Sequence, residues 1–105
     1  MGTVFKLPII HVDNMKESLQ RLQAHHGTRV LAADPRAHSR ISSTNLTDNV
    51  CIILGNEDLG VSEEILSVSN ERITIPMQRE TDSLNVGSAS AVCLYEASRQ
   101  RAARV

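Results

Sequence analysis

The stretch from Ile73 to Ala97 reads ITIPMQRETDSLNVGSASAVCLYEA, a β-branched opening joined through a polar loop to a helix-forming half. Ile73, Thr74 and Ile75 suit a pleated, half-buried strand. Pro76 donates nothing to a ladder and marks the point where pairing stops. A helix is expected to open at Ser83-Leu84-Asn85, where Ser83 or Asn85 can cap the orphan amides. Its first turns carry Gly87, Ser88, Ala89, Ser90 and Ala91, small enough to let another backbone or a flat ligand come close. Val86, Ala89, Cys93 and Ala97 fall on one helical face, and Val92 widens it. Taken alone, this is a buried helix packed on a sheet.

Working outward, Val50 to Leu66 supplies VCIILGNEDLGVSEEIL. The run Val50 to Leu54 is apolar at every position, the pattern of a strand covered on both faces in a parallel sheet. Gly55 follows at its carboxyl end, where open α/β sheets bind ligands and where a glycine lets backbone approach one. Ser62 can cap a short helix, with Glu63 and Glu64 placed where the helix dipole favours acids. The stretch Gly55 to Gly60 is not a phosphate-binding loop, because Val61-Ser62 stands where the Lys and Ser/Thr would be needed.

Upstream, Asn14-Met15-Lys16-Glu17 has the form of a capping box. Met15, Leu19 and Leu22 line one face of the helix it starts, and Gly27 is a natural terminator. Arg29 to Ala33 is strand-like and ends at Asp34-Pro35. Residues 36 to 49 read as a polar loop with room for a short helical turn. Thr3 to Val12 reads as a lead-in loop and a short strand or extended edge, with Pro8 limiting its pairing. Strands alternating with helices over 105 residues predict one α/β domain with a mostly parallel sheet.

Aromatic residues make up 2% of the chain, so packing must come from aliphatic side chains. The net charge of −1 excludes a basic cloak that holds nucleic acid non-specifically. Any RNA contact must be local. Arg79, Arg99, Arg101 and Arg104 form the one suggestive cluster, and cations in a last helical turn are also common simply because they complement the dipole. Cys51 and Cys93 lack metal or CxxC spacing and suit free thiols in a reducing cytoplasm. His25 and His26, adjacent on a helix, point about 100° apart, and no zinc site is expected. No apolar run approaches the ~20 residues that span a bilayer.

Two motifs carry a resemblance. LGNEDLG (Leu54 to Gly60) and IPMQRETDSLNVGSASAVCLYE (Ile75 to Glu96) resemble the second and third signature motifs of the SpoU-type, or TrmH-like, RNA ribose 2′-O-methyltransferases of the SPOUT superfamily. GNE and SLN, about thirty residues apart, form a specific joint signal where either triplet alone would be weak. The resemblance implies a SPOUT-type α/β fold with a deep trefoil knot, S-adenosyl-L-methionine as methyl donor, a tRNA or rRNA substrate, and a homodimer. By motif, Gly55, Ile75 and Leu84 match positions that hold the donor, and Leu54 and Met77 would add walls to the adenosine pocket. Glu57 matches the acidic residue of the second motif. Ser83 and Asn85 match the polar pair of the third, expected near the reacting ribose; the same residues also suit a turn acid and helix caps.

Family members also carry a first motif, an Asn- and Gly-containing segment ending in an Arg at the catalytic centre. No Arg of this chain maps onto it, and Met1 to Pro8 resembles the segment that follows that motif, so residues 1–105 match the carboxyl-terminal portion of the family domain. Two classes of function therefore stand open: a ribose 2′-O-methyltransferase, or a truncated, inactive SPOUT module that binds the donor or a partner without chemistry.

Overall fold

The computed structural model describes residues 9–56, 59–75 and 86–103. Helix α1 spans Met15–His26 and strand β1 Arg29–Ala33. Strand β2 is Val50–Ile53, helix α2 Glu63–Val68, strand β3 Glu71–Ile73 and helix α3 Val86–Ala103. The three strands form one parallel sheet in the order β2-β1-β3.

Local signals place the first elements. The Asn14 side-chain oxygen accepts from the Glu17 amide at 3.0 Å, so one of the orphan donors at the start of α1 is met. The helix stops at Gly27, whose φ of 62° is open to glycine and costly for most other residues. Ser62 caps α2 by accepting from the Ile65 amide at 3.3 Å. Of the face expected on α1, Leu19 is buried and Leu22 partly so, whereas Met15 is 47% exposed because it occupies the first turn, beyond the edge of the packed surface.

Strand β1 is the centre of the molecule. Val30, Leu31 and Ala32 are wholly buried, and burial of a side chain the size of Val30 or Leu31 contributes about 1.5–3 kcal/mol. Alternate residues face opposite sides. Leu31 joins Ile73, Ile75, Ala89 and Cys93 in one cluster, which places α3 on that face. Helices α1 and α2 contact each other and β1. The layers are thus helix, sheet, helix, as the alternation of elements predicts.

Four expectations are corrected. The ladder of β3 runs over Glu71–Ile73 rather than Ile73 to Ile75, with Thr74 held by a single parallel bridge to Arg40. The shift follows from β1: its last partner position is Ala33↔Ile73, after which Asp34-Pro35 turns away. Strand β2 is only partly buried along its length, because among the described residues it is an edge strand paired with β1 alone. Of the segment expected as a lead-in and edge, residues 3–8 lie outside the described residues, and Ile9 to Val12 form no strand; Ile9 and Ile10 are about 80% exposed, and neither edge of the described sheet pairs with them. Residues 36 to 49 do contain a helical turn, the 3-10 turn Ile41–Ser43, yet this polar-looking segment also sends Ile41 and Leu46 into the core.

Candidate functional site

Because the sheet is parallel, the carboxyl ends of all three strands lie along one edge. Asp34 follows β1 there, Leu54 and Gly55 follow β2, and Thr74 and Ile75 follow β3. Strand β1 separates β2 from β3, so the two outer strand ends stand roughly 9.5 Å apart. Ile75, 8% exposed, belongs to the buried cluster, and Leu54 packs against that cluster from the β2 side. Two of the expected donor-pocket residues therefore converge across β1 on common apolar ground.

Gly55 is required for a reason nearer home than a ligand. A Cβ at this position would overlap the main chain of Gly60 and Val61. The Asn56 and Gly60 amides exchange hydrogen bonds, at 3.2 and 2.7 Å, and the Asn56 side chain accepts from the Leu59 amide. Gly60 takes a φ of 72° to close this turn. Among the described residues, the close approach that Gly55 permits is by the chain's own backbone. Glu57 lies between these residues in sequence but outside the described residues, as do Met77, Ser83, Leu84 and Asn85.

Asp34, 5% exposed, is a buried carboxylate at this edge. Its Oδ1 accepts from the Arg36 amide and Nε at 3.0 and 3.1 Å, and Arg72 stands 3.6 Å from Oδ2. The hydrogen bond from the Arg36 side chain, aided by its amide, holds the carboxyl below its usual range. Sequence reasoning saw only a strand terminator in Asp34-Pro35; the Arg two positions after the Asp was the available signal.

On α3, Ala89 and Cys93 are buried and Val92 and Ala97 partly so, as expected, while Val86 is 42% exposed at the helix start. Missed altogether was Glu96, buried on the same helix. Its carboxylate takes two bonds from Arg99, at 3.0 and 2.7 Å, and one from Gln100 at 2.8 Å. Arg99, then Gln100, draws its pKa down to about 2. Arg101 donates to the carbonyls of Leu46 and Asp48 at 3.0 and 2.8 Å. The expected basic cluster is therefore partly committed to internal bonds; Arg79 and Arg104 lie outside the described residues. Beside it, a groove of about 350 Å³ runs between β2 and α3, lined by Val50, Ile52 and Leu54 and by Ser90, Cys93, Leu94, Ala97 and Arg101. Among the described residues, Leu54 is the one it shares with the expected donor pocket.

Residues 1–95 match the family model described as the SpoU rRNA Methylase family. The chain belongs to that family. Among curated SpoU-type relatives, the 23S rRNA (guanosine-2′-O-)-methyltransferase RlmB of Pasteurella multocida is 33% identical over 102 residues, which is 97% of this chain and 42% of RlmB. This SpoU chain thus spans about two fifths of the length of that relative. Among solved structures, the A. aeolicus TrmH/SpoU tRNA modifying enzyme superposes with a TM-score of 0.78 at 34% identity, covering 89% of this chain and 47% of that one. The SpoU methyltransferase AviRb of Streptomyces viridochromogenes, solved with the cofactor AdoMet, superposes with a TM-score of 0.75 at 26% identity, over 86% of this chain and 36% of its own.

Proposed function

We propose that this SpoU-family chain forms a single SPOUT-type domain that works in S-adenosyl-L-methionine-dependent 2′-O-methylation of ribose in tRNA or rRNA. The observation that carries the reading is the meeting of Leu54 and Ile75, each at the edge of a family motif, on one apolar cluster at the carboxyl edge of the sheet. AviRb, with its AdoMet, supports the choice of donor. The described residues suit such a ligand: two apolar walls, Leu54 and Ile75, beside the main-chain turn that Gly55 makes with Gly60, where an adenosine can be gripped by packing and by backbone groups.

In this reading Leu54, Gly55, Ile75, Met77 and Leu84 hold the donor, and the chain threads a deep trefoil knot around it. When bound, S-adenosylmethionine supplies a methyl group already activated by a sulfonium charge. What remains for the protein is largely positioning. Ser83 and Asn85 hydrogen-bond near the reacting ribose, and Glu57 orients a neighbouring cation or the RNA. A second copy of the chain completes the assembly; the apolar groove and the exposed Leu94 and Tyr95 on α3 support a homodimer. The two free cysteines suit a cytoplasmic location.

The experiment is a calorimetric titration with S-adenosylmethionine, followed by transfer of a tritiated methyl group to unmodified total RNA. Saturable binding and label in the ribose 2′-O position are expected. Binding without transfer would leave a donor-binding module, and no binding would sink the reading. Sedimentation velocity tests the dimer.

A further inference from the structure

We infer that Arg36 and Arg72, both held by the buried carboxylate of Asp34, form a two-point grip for the phosphodiester backbone of RNA at the carboxyl edge of the sheet. The choice of RNA rests on the function proposed above; the grip itself is built from the geometry of this chain. Asp34 opens a tight turn, which the Ala37 amide closes by donating to the Asp34 carbonyl at 2.9 Å and in which Pro35 fixes the backbone. Arg36 is thereby set against Asp34. Its Nε and one Nη donate to the two carboxylate oxygens at 3.1 and 3.3 Å, and its backbone amide donates to Oδ1 at 3.0 Å. Arg72, the middle residue of β3, lies opposite Ala32 and brings a second guanidinium to 3.6 Å from Oδ2.

The Asp34 side chain is 5% exposed, whereas those of Arg36 and Arg72 are 73% and 49% exposed. One negative charge is thus withdrawn beneath the surface and two positive ones are presented to solvent. Two of the five N–H donors of the Arg36 guanidinium are used by Asp34, which leaves three for a ligand on a group whose plane is already fixed. Such a guanidinium loses little further freedom on meeting a phosphate, whose oxygens it matches in paired hydrogen bonds. Among the described residues no other carboxylate carries two guanidiniums: Arg99 is engaged by Glu96, and Arg29 by Glu71 and Asp48. Glu63, in the first turn of α2, adds only a weaker through-space attraction to Arg36.

Asp34 follows the central strand, about 4.8 Å from the strand on either side. Leu54 and Ile75, the expected donor walls, stand at the ends of those flanking strands and pack on the α3 side. Ile73 belongs to that side as well, so its neighbour Arg72 falls on the other. RNA gripped at Arg36 and Arg72 therefore meets the edge that carries the donor walls, from the opposite face. Arg40, exposed and bridged through its backbone to Thr74 at the exit of β3, adds a third cation along this edge.

The test is filter binding of end-labelled, unmodified tRNA and rRNA transcripts to the whole chain between about 50 and 200 mM salt, because each phosphate contact adds roughly one to the slope of log affinity against log salt. Arg36→Gln and Arg72→Gln should each lower affinity about three- to tenfold and reduce that slope by about 1, and the double variant should reduce it by about 2. Arg21→Gln, on the exposed face of α1, should change neither. Glutamine keeps a donor toward Asp34, and if one variant does not fold the other still reads the slope. A role confined to bracing the turn would weaken binding alike at every salt concentration and leave the slope in place. That result, unchanged binding, or a wild-type chain that holds neither RNA would overturn the inference. Methyl transfer assayed on the same proteins keeps the two readings apart. Unaltered slopes in a chain that transfers methyl groups sink the grip alone, and altered slopes in a chain that transfers none uphold the grip while the enzyme reading fails.

Discussion

Asn70 and Val30 exchange two hydrogen bonds as neighbouring strand residues do, except that one is made by a side chain: the Asn70 amide donates to the Val30 carbonyl at 2.8 Å, and the Val30 amide donates to Asn70 Oδ1 at 2.7 Å. Gln23 of α1 donates to the same oxygen at 2.9 Å and to the Val68 carbonyl at 2.8 Å. One carboxamide thus finishes the central strand where β3 has not yet begun, and links it to both helices of that face. Asn70→Ala leaves the buried Val30 amide unmet and should cost about 1–3 kcal/mol. Asn70→Asp, which keeps an acceptor in place, should cost less. Urea unfolding checks both, with a shifted midpoint and an unchanged slope.

The two glycines of the 55–60 turn should respond differently to alanine. At Gly55 the added methyl meets the main chain of Gly60 and Val61, so the turn has to open; overpacking of this kind costs about 1–3 kcal/mol. Donor affinity should fall with it by tenfold or more in calorimetry. At Gly60 nothing crowds the methyl, and the cost is that of a left-handed conformation, about 1–2 kcal/mol. Equal donor affinity in wild type and Gly55→Ala would remove Gly55 from the pocket.

Acid should unfold the chain through its paired carboxylates. Glu96 has its pKa lowered in the fold to about 2 from an ordinary 4.5, and Asp34 is lowered as well. A lowered acid binds protons more readily when unfolded, so its stabilisation is complete above the ordinary value and drains away as pH falls toward the folded one. For Glu96 that window is pH 4.5 down to about 2. Melting temperatures measured across it should fall steeply for wild type and less steeply for Glu96→Gln. Identical slopes would show that the pairing with Arg99 contributes nothing.

Leu46 lies in an irregular segment, between Asn45 and Thr47, and is nevertheless wholly buried. Leu46→Ala should therefore behave as a core truncation, costing about 2–5 kcal/mol by chemical denaturation. A cost below 0.5 kcal/mol, ordinary for a surface position, would place it on the surface.

These cases mark what the residues reveal by themselves. Asn14, Gly27 and Ser62 act on their immediate neighbours, and local patterns therefore located α1 and α2 closely. The apolar run of β2 revealed a strand but not how many neighbours cover it, since burial is decided by the order of strands. Glu71 and Arg72 do not look like strand residues; they pair because Leu31 and Ala32 lie opposite them. Ile41, Leu46, Glu96 and Gln100 were illegible for a similar reason. A polar-looking loop and a charged helix end become interior only when they meet, some 54 positions apart. Of the expected pocket, the apolar pair Leu54 and Ile75 was visible because hydrophobic residues beside strand ends have few other places to go.

Among the described strands, the one that comes first in the sequence occupies the middle of the sheet, with both of its described neighbours encoded later. During synthesis Val30, Leu31 and Ala32 therefore precede their partners in β2 and β3, and the β3 flank cannot form until Ile73 has been made. Nascent fragments ending before that point carry a sticky, unfinished ladder. The interval between making β1 and making β3 is thus the time for which that side of the central ladder stays open.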